Sequence, residues 1–110
     1  MPLIPVDSIT RDGIRKSLVP VSPGGDEFHN RGTTFFLIEN GDRDMAVTIH
    51  FPSQIEGIEV KDVTVDVLGG TSKLVGPFPS VLFNNSPLDT VRLSYSNTTR
   101  VIIQVLRLAS

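Results

Sequence analysis

An alternating valine run interrupted by a glycine pair constrains the fold of this chain more than any other sequence feature. Valines alternate with polar residues over residues 63–68, Gly69 and Gly70 follow, and a second short run covers residues 71–75. Because strand side chains repeat every second residue, the valines share one face of a β-strand. Adjacent glycines tolerate the positive φ angles of tight turns. The pattern predicts a β-hairpin formed by these two runs.

Short apolar and β-branched runs bounded by turn residues recur along most of the chain, with little helical periodicity. They predict about seven short strands and an all-β fold, a small antiparallel β-sandwich of immunoglobulin-like or jelly-roll-like type. A chain of 110 residues is long enough for one domain with a modest core. Outside the first hairpin, the predicted strands cover residues 18–21, 33–38, 45–51, 91–95 and 100–106.

Two more pairs of neighbouring strands are expected to form hairpins. The turn containing Asn40 and Gly41 would join the strands at 33–38 and 45–51, and residues 96–99 would join the last two strands. The run at 33–38 is apolar on both faces, as expected for a strand covered on both sides. Pro20 restricts the first strand to a sheet edge or lies at the end of that strand. Residues 22–26 and 28–32 are predicted to be loop and turn.

The first 16 residues differ from the rest of the chain. Pro2 and Pro5 favour extended backbone, and Gly13 limits any helix capped by Ser8 to a single turn. The predicted organisation is therefore an extended N-terminal arm over residues 1–16 and a β-sandwich domain over residues 17–110.

Composition narrows the classes of partner. Ten basic and twelve acidic residues give a formal charge of −2, whereas nucleic-acid binding needs a clustered basic face. The chain has no cysteine for disulfides or thiolate metal sites, and no apolar run approaches the ~20 residues of a membrane span. We therefore expect neither nucleic acid nor membrane as a partner. We also expect no signal peptide, because the N-terminus lacks a basic segment followed by an apolar stretch.

No sequence pattern indicates catalysis or a cofactor. His29 and His50 have no second ligand at a metal-binding spacing, so both are predicted to be structural or surface residues. Arg43 interrupts the acidic residues at 42–44, which favours a solvated turn over a calcium site. A serine nucleophile would need a nucleophile elbow or a positioned base, and Gly-x-Ser-x-Gly is absent. Residues 69–73 lack the Walker spacing. The chain is predicted not to be an enzyme and to bind no cofactor or metal.

The sequence Gly76-Pro77-Phe78-Pro79 presets a rigid, extended backbone around one aromatic side chain. The favoured interpretation is a structural corner between the two sheets, with Phe78 closing one end of the core. The alternative is an exposed binding element in which Phe78 anchors in a partner's pocket.

Eight segments occur in a fixed order along the chain: residues 9–14 (Ile-Thr-Arg-Asp-Gly-Ile), 24–28 (Gly-Gly-Asp-Glu-Phe), 30–37 (Asn-Arg-Gly-Thr-Thr-Phe-Phe-Leu), 39–41 (Glu-Asn-Gly), 63–65 (Val-Thr-Val), 76–79, 91–95 (Val-Arg-Leu-Ser-Tyr) and 105–108 (Val-Leu-Arg-Leu). In this order they resemble small virion proteins of tailed bacteriophages that decorate or cement the capsid. Each segment is loose by itself, and the specificity lies in the order and in Gly-Pro-Phe-Pro. Pro20 and Pro23 depart from the small residues found in relatives.

The resemblance implies a structural protein on the outer surface of the phage capsid, made in the bacterial host cytoplasm. Its partner would be the major capsid protein, and a homotrimer at local three-fold positions would bridge capsomers. The N-terminal arm would lie on the shell and add a strand to an exposed capsid edge. Its contact residues would be Leu3, Ile4, Pro5, Val6 and Ile9.

Two other functions compete with capsid decoration. A head–tail completion protein or a tail-associated β module would differ in copy number. A carbohydrate-binding β-sandwich would normally expose Trp or Tyr to stack on sugars. The chain has no Trp and a single Tyr, and Tyr95 shares a strand face with Val91 and Leu93, which predicts a core position.

Overall fold

Two β-sheets packed face to face form the part of the chain that the computed structural model describes, residues 2–50, 62–78 and 89–108. One sheet has five strands in the order β1-β9-β4-β7, with β2 also beside β9, and the other has four in the order β3-β8-β5-β6. The predicted all-β sandwich is confirmed. All the strand pairs are antiparallel except β1 with β9. The strands are β1 Val6–Ile9, β2 Val19–Pro20, β3 Asp26–His29, β4 Thr34–Asn40, β5 Met45–His50, β6 Val63–Val67, β7 Ser72–Val75, β8 Thr90–Tyr95 and β9 Val101–Leu108.

Strands β1 and β3 lie where arm, loop and turn were predicted. Phe28 of β3 is fully buried, whereas Glu27 and His29 beside it point away from the core. A single apolar side chain among charged neighbours gives no visible alternation, so the sequence pattern missed this strand. The predicted loop before β3 is confirmed, because Gly25 N donates to Ser22 O at 2.9 Å. Pro20 lies at an edge as expected, since β2 pairs only with β9.

None of the three predicted hairpins forms. Strands β4, β7 and β9 lie in the five-stranded sheet, and β5, β6 and β8 lie in the other. Each predicted turn is therefore a crossover between the sheets: β4 to β5, β6 to β7, and β8 to β9. Among strands adjacent in the described sequence, only β5 and β6 pair with each other.

The three crossovers meet at one end of the sandwich and form hydrogen bonds with one another. Asn40 N donates to Thr71 O at 3.0 Å, and Gly70 N donates to Asn40 O at 2.7 Å. Gly41 N donates to Arg100 O at 2.9 Å, which connects the third crossover to the first. The backbone groups near each turn thus bond to a neighbouring crossover, and the strands on either side of each turn pair in different sheets. The hairpin prediction is wrong for this reason.

The glycine pair at 69–70 has a different role from the one expected. Gly70 does adopt a positive φ of 79°, as the turn prediction requires. At Gly69, by contrast, an added Cβ would collide with the backbone carbonyl of Asp42 in the neighbouring crossover. The pair therefore allows two crossovers to approach closely.

Three phenylalanine rings form the centre of one end of the core. Phe36 stacks on Phe78 with ring centroids 5.8 Å apart, and Phe28 lies 6.3 Å from Phe36 and 5.9 Å from Phe78. Phe78 is 3% exposed, and its carbonyl accepts a hydrogen bond from Asn30 Nδ2 at 2.8 Å. The predicted core position of Phe78 is confirmed. Gly76 and Pro77 are exposed beside it, and Pro79 lies outside the described residues.

The extended arm predicted over residues 1–16 is not confirmed: within it, residues 2–9 pair with the two sheets and are part of the sandwich. Ile4 N donates to Glu27 O at 2.8 Å, and Glu27 N donates to Pro2 O at 2.9 Å, so the segment begins beside β3 in the four-stranded sheet. It then continues as β1, which pairs with β9 in the five-stranded sheet. Ile4 lies at the point where the segment changes sheets and is 7% exposed in the core.

Deleting residues 2–8 is therefore expected to destabilise the domain. The deletion removes Ile4 from the core and the β1 pairing from β9, and loss of one buried aliphatic side chain alone costs roughly 2–5 kcal/mol. Urea denaturation should show a lower free energy of unfolding for the deletion variant. Leu3→Ala, at an exposed position, should change the free energy of unfolding by no more than about 0.5 kcal/mol. An unchanged free energy of unfolding for the deletion would show that the segment is an independent arm.

Candidate interaction surface

The five-stranded sheet carries apolar side chains on its outer face as well as on its inner face. In β4, Phe36 and Ile38 point into the core, and Phe35 and Leu37 point outward and are half-buried. Cross-strand pairing continues this row onto the neighbouring strands, because side chains of registered pairs share a face. We call the set the apolar outer face; it consists of Ile9, Phe35, Leu37, Leu74, Leu106 and Leu108, of which Leu106 is buried, at 6% exposed.

Leu74 is the most exposed member of the apolar outer face. It lies opposite Leu37 in register, on strand β7, and is 61% exposed. Leu108 is 54% exposed at the other end of the face. Strand β7 pairs with β4 alone among the described strands, so Leu74 also lies at a sheet edge. Large aliphatic side chains grouped on one face in this way are typical of interaction surfaces.

Residues 15–17 lie beside the apolar outer face, and we call them the crossing segment. Gln104, which is 3% exposed, forms hydrogen bonds that hold the crossing segment in place. Gln104 Oε1 accepts from Ser17 N at 3.0 Å, and Gln104 Nε2 donates to Arg15 O and to Asp7 Oδ2, both at 3.0 Å. Lys16 Nζ lies 2.9 Å from Glu39 Oε2 beside it. The crossing segment thus gives the apolar outer face a polar, charged border.

The outer face of the four-stranded sheet is polar. Glu27 and Arg92 form an ion pair at 3.4 Å, and Thr48 lies opposite both Thr64 and Ser94 in register. The two outer faces of the sandwich therefore differ in chemistry. One is suited to an apolar contact, and the other is suited to solvent.

The N-terminal residues predicted to contact a partner are separated by the fold. Ile4 is buried in the core, and Val6 is half-buried and packs against the core. Leu3 and Pro5 are exposed. Ile9 is half-buried and lies opposite Leu108 on the apolar outer face. Of the five predicted residues, only Ile9 joins that face.

A cationic cleft of about 720 Å³ lies beside the N-terminal segment. Residues 3–6 form one wall, and Arg31, Arg107, His29 and Asp89 are among the residues of the other walls. Arg107 Nε donates to Ser8 Oγ at 2.8 Å, which fixes its guanidinium at the cleft. Two arginines near one opening favour carboxylate groups of a partner.

His50 forms hydrogen bonds with Ser94 and with the carboxylate of Asp62 on the polar outer face. Its Nδ1 lies 2.7 Å from Asp62 Oδ2, and its Nε2 lies 2.8 Å from Ser94 Oγ. This contact between a serine and a histidine was not predicted from the sequence. Ser94 lies 44 residues from His50 in sequence, and strand pairing between β5 and β8 brings them together. Alternation places both residues on outward positions of their strands, but only the sheet order shows that they are neighbours.

Comparisons with protein-family models, curated proteins and solved structures give no match to this chain. Across residues 2–50, 62–78 and 89–108, no helix is long and apolar enough to cross a membrane, and no three His, Cys, Asp or Glu side chains group as metal ligands. The resemblance to capsid decoration proteins stays a prediction.

Proposed function

We propose that this chain is a structural virion protein that binds the outer surface of a tailed-phage capsid through its apolar outer face. The observation that carries the proposal is the exposure of Leu74 and Leu108 on the five-stranded sheet. On the same outer face, the half-buried side chains of Phe35 and Leu37 also point outward. Burying such a face stabilises a complex by about 25 cal/mol for each Å² of apolar surface removed from water.

The partner is the major capsid protein, as the resemblance in the sequence implies. A capsid presents the same surface many times, so a homotrimer on it would engage several sites at once. Modest single contacts then combine into strong binding through effective concentration. The protein would bridge neighbouring capsomers and stabilise the assembled shell by binding it in preference to the dissociated subunits.

The chemistry of the surface assigns different roles to its parts. Leu37 and, at the β7 edge of the sheet, Leu74 supply apolar side chains, where binding energy concentrates once water is excluded. The ion pair of Lys16 with Glu39 supplies a polar border. The cationic cleft with Arg31 and Arg107 would attract acidic groups of the shell, which adds orientation and speed of association more than affinity.

Leu74→Asp should weaken binding to capsids that lack the protein by about thirtyfold or more. A charge buried without a partner in an apolar contact costs on the order of 2 kcal/mol, which corresponds to that factor. Co-sedimentation of recombinant protein with these capsids measures the affinity. Thr64→Asp is the matched control, because Thr64 is exposed on the polar outer face. Equal binding by both variants and wild type would refute the assignment of the apolar outer face.

Copy number distinguishes decoration from a role at the head–tail connection or in the tail. A decoration protein should be present in hundreds of copies per particle, and a connector protein in about a dozen, because the capsid surface repeats and the connection does not. Quantitative mass spectrometry of purified particles measures the ratio of this chain to the major capsid protein. A ratio of a dozen copies per particle would contradict the proposed role.

A further inference from the structure

The Ser94, His50 and Asp62 side chains are connected as a nucleophile, a base and an orienting carboxylate would be. They come from three adjacent parts of the four-stranded sheet: β8, β5 and the residue before β6. The Nε2 of His50 faces Ser94 Oγ at 2.8 Å, and its Nδ1 faces Asp62 Oδ2 at 2.7 Å. Both distances are within hydrogen-bond range, so the nucleophile–base and base–orienter contacts are already formed.

The carboxylate determines which nitrogen of His50 carries the proton. An ionised carboxylate only accepts hydrogen bonds, so the Nδ1 facing Asp62 must be the N–H nitrogen. In neutral imidazole the other nitrogen is then an acceptor, and its lone pair points at Ser94. Ser94 consequently donates its hydroxyl hydrogen to Nε2, which is the arrangement that makes a serine oxygen nucleophilic.

We propose that Ser94 is a reactive nucleophile on the polar outer face and that it hydrolyses small esters. Ser94 Oγ forms a bond to the ester carbonyl carbon while its proton moves to His50 Nε2. The bond from that carbon to the alcohol oxygen breaks, and the same proton passes to the leaving alcohol. Water then attacks the acyl-serine, releases the carboxylic acid and restores the Ser94 hydroxyl, so atoms and protons balance without any further reactant.

The surroundings of Ser94 define the class of substrate. The side chains of His50 and Asp62 are 33% and 39% exposed, so the group is open to solvent on a flat sheet. Arg92 lies two residues before Ser94 and opposite His50 in register, and its Nε forms an ion pair with Glu27 of β3 at 3.4 Å. An open, polar surface fits small or terminal acyl esters and provides little selectivity among them. The activity does not depend on capsid binding, because it is located on the opposite outer face.

A fluorophosphonate probe tests the proposal on the full-length protein, with intact mass and peptide mapping as readouts. We expect one label per chain, on Ser94, added about a hundredfold faster to wild type than to His50→Gln, since a positioned base contributes on the order of 10² or more. Ser94→Ala should take up no label, and Ser72→Ala, a serine on β7, should label like wild type. Thermal unfolding of each variant verifies its fold.

Three results would overturn the proposal: no labelling of wild type, a label mapped to another residue, or equal labelling rates for wild type and His50→Gln. Because the site is mapped on wild type, the test remains decisive even if Ser94→Ala does not fold. Hydrolysis of p-nitrophenyl acetate by wild type, and its loss in His50→Gln, would show that the acyl-serine turns over. Capsid binding by Ser94→Ala should be unchanged, which separates this activity from the proposed structural role.

Discussion

Phe36→Ala is expected to lower the free energy of unfolding by about 3–5 kcal/mol. The ring of Phe36 is fully buried, stacks on Phe78 and meets Phe28 edge-on, so its removal leaves a cavity between the two sheets. The neighbouring rings come from β3 and from the corner after β7. Urea denaturation followed by far-ultraviolet circular dichroism measures the loss.

Phe35→Ala is the matched control, because it removes the same side chain from the next residue of β4. Phe35 points to the outer face and is half-buried, so its loss should cost about 1 kcal/mol of folding stability. The same variant should bind capsids more weakly, because Phe35 belongs to the apolar outer face. Equal losses of stability in the two variants would contradict the assignment of inner and outer faces on this strand.

Asn40→Ala is expected to cost about 2–4 kcal/mol of folding stability, because each buried polar group left without a partner costs about 1–3 kcal/mol. The Asn40 side chain is 2% exposed, and its Nδ2 donates to Arg43 O at 2.8 Å and to Val67 O at 2.9 Å. Its Oδ1 accepts from Asp42 N at 3.1 Å. Removing this amide breaks the connection between the first two crossovers and leaves the Val67 carbonyl without this donor.

Asn97→Ala provides the comparison for Asn40. Asn97 lies in the third crossover, where its Nδ2 donates to Asp42 Oδ2 at 3.1 Å and its side chain is half-buried. Its loss should cost no more than about 1 kcal/mol, since water can replace the partner. Urea denaturation of both variants tests the difference. If Asn40→Ala were as stable as Asn97→Ala, the crossover contacts would not be what holds this end of the sandwich together.

The sequence patterns predicted seven of the nine described strands and missed β1 and β3. Where a strand alternates, its inward face was predicted as well, and Tyr95 illustrates this, because it packs against the core as expected. Its hydroxyl donates to Asp26 Oδ2 at 2.8 Å. Burial, the hydrogen bond and the charge of Asp26 raise the pKa of Tyr95, so the hydroxyl remains protonated and keeps this bond. The partner itself was unpredictable, because Asp26 lies 69 residues away in a strand with no alternation.

Strand pairing was not predictable from the same patterns. The alternation of Val63, Val65 and Val67 fits a strand in either sheet, and Gly69-Gly70 fits a hairpin turn as well as a crossover. The choice depends on Asn40, whose side chain bonds to Val67 O from a separate turn 27 residues away. The local sequence around each turn does not indicate such a contact between distant residues. All three hairpin predictions were wrong for the same reason.

The interaction surface was partly visible in the sequence. The run at 33–38 is apolar on both faces, which predicted a strand covered on both sides. Within the described residues Phe36 and Ile38 are covered by the core, whereas Phe35 and Leu37 are only half-buried. A partner protein on the outer face would complete the coverage that this pattern predicts. Ser94 and its base could not be predicted, because the three residues come from separate parts of the chain.

A cryo-electron microscopy map of capsids decorated with recombinant protein would test most directly which face the protein uses. The proposed role predicts the five-stranded sheet toward the shell, with Leu37 and Leu74 against the major capsid protein and His50 facing solvent. A map with the four-stranded sheet against the shell, or with no density for this protein on the capsid surface, would contradict it.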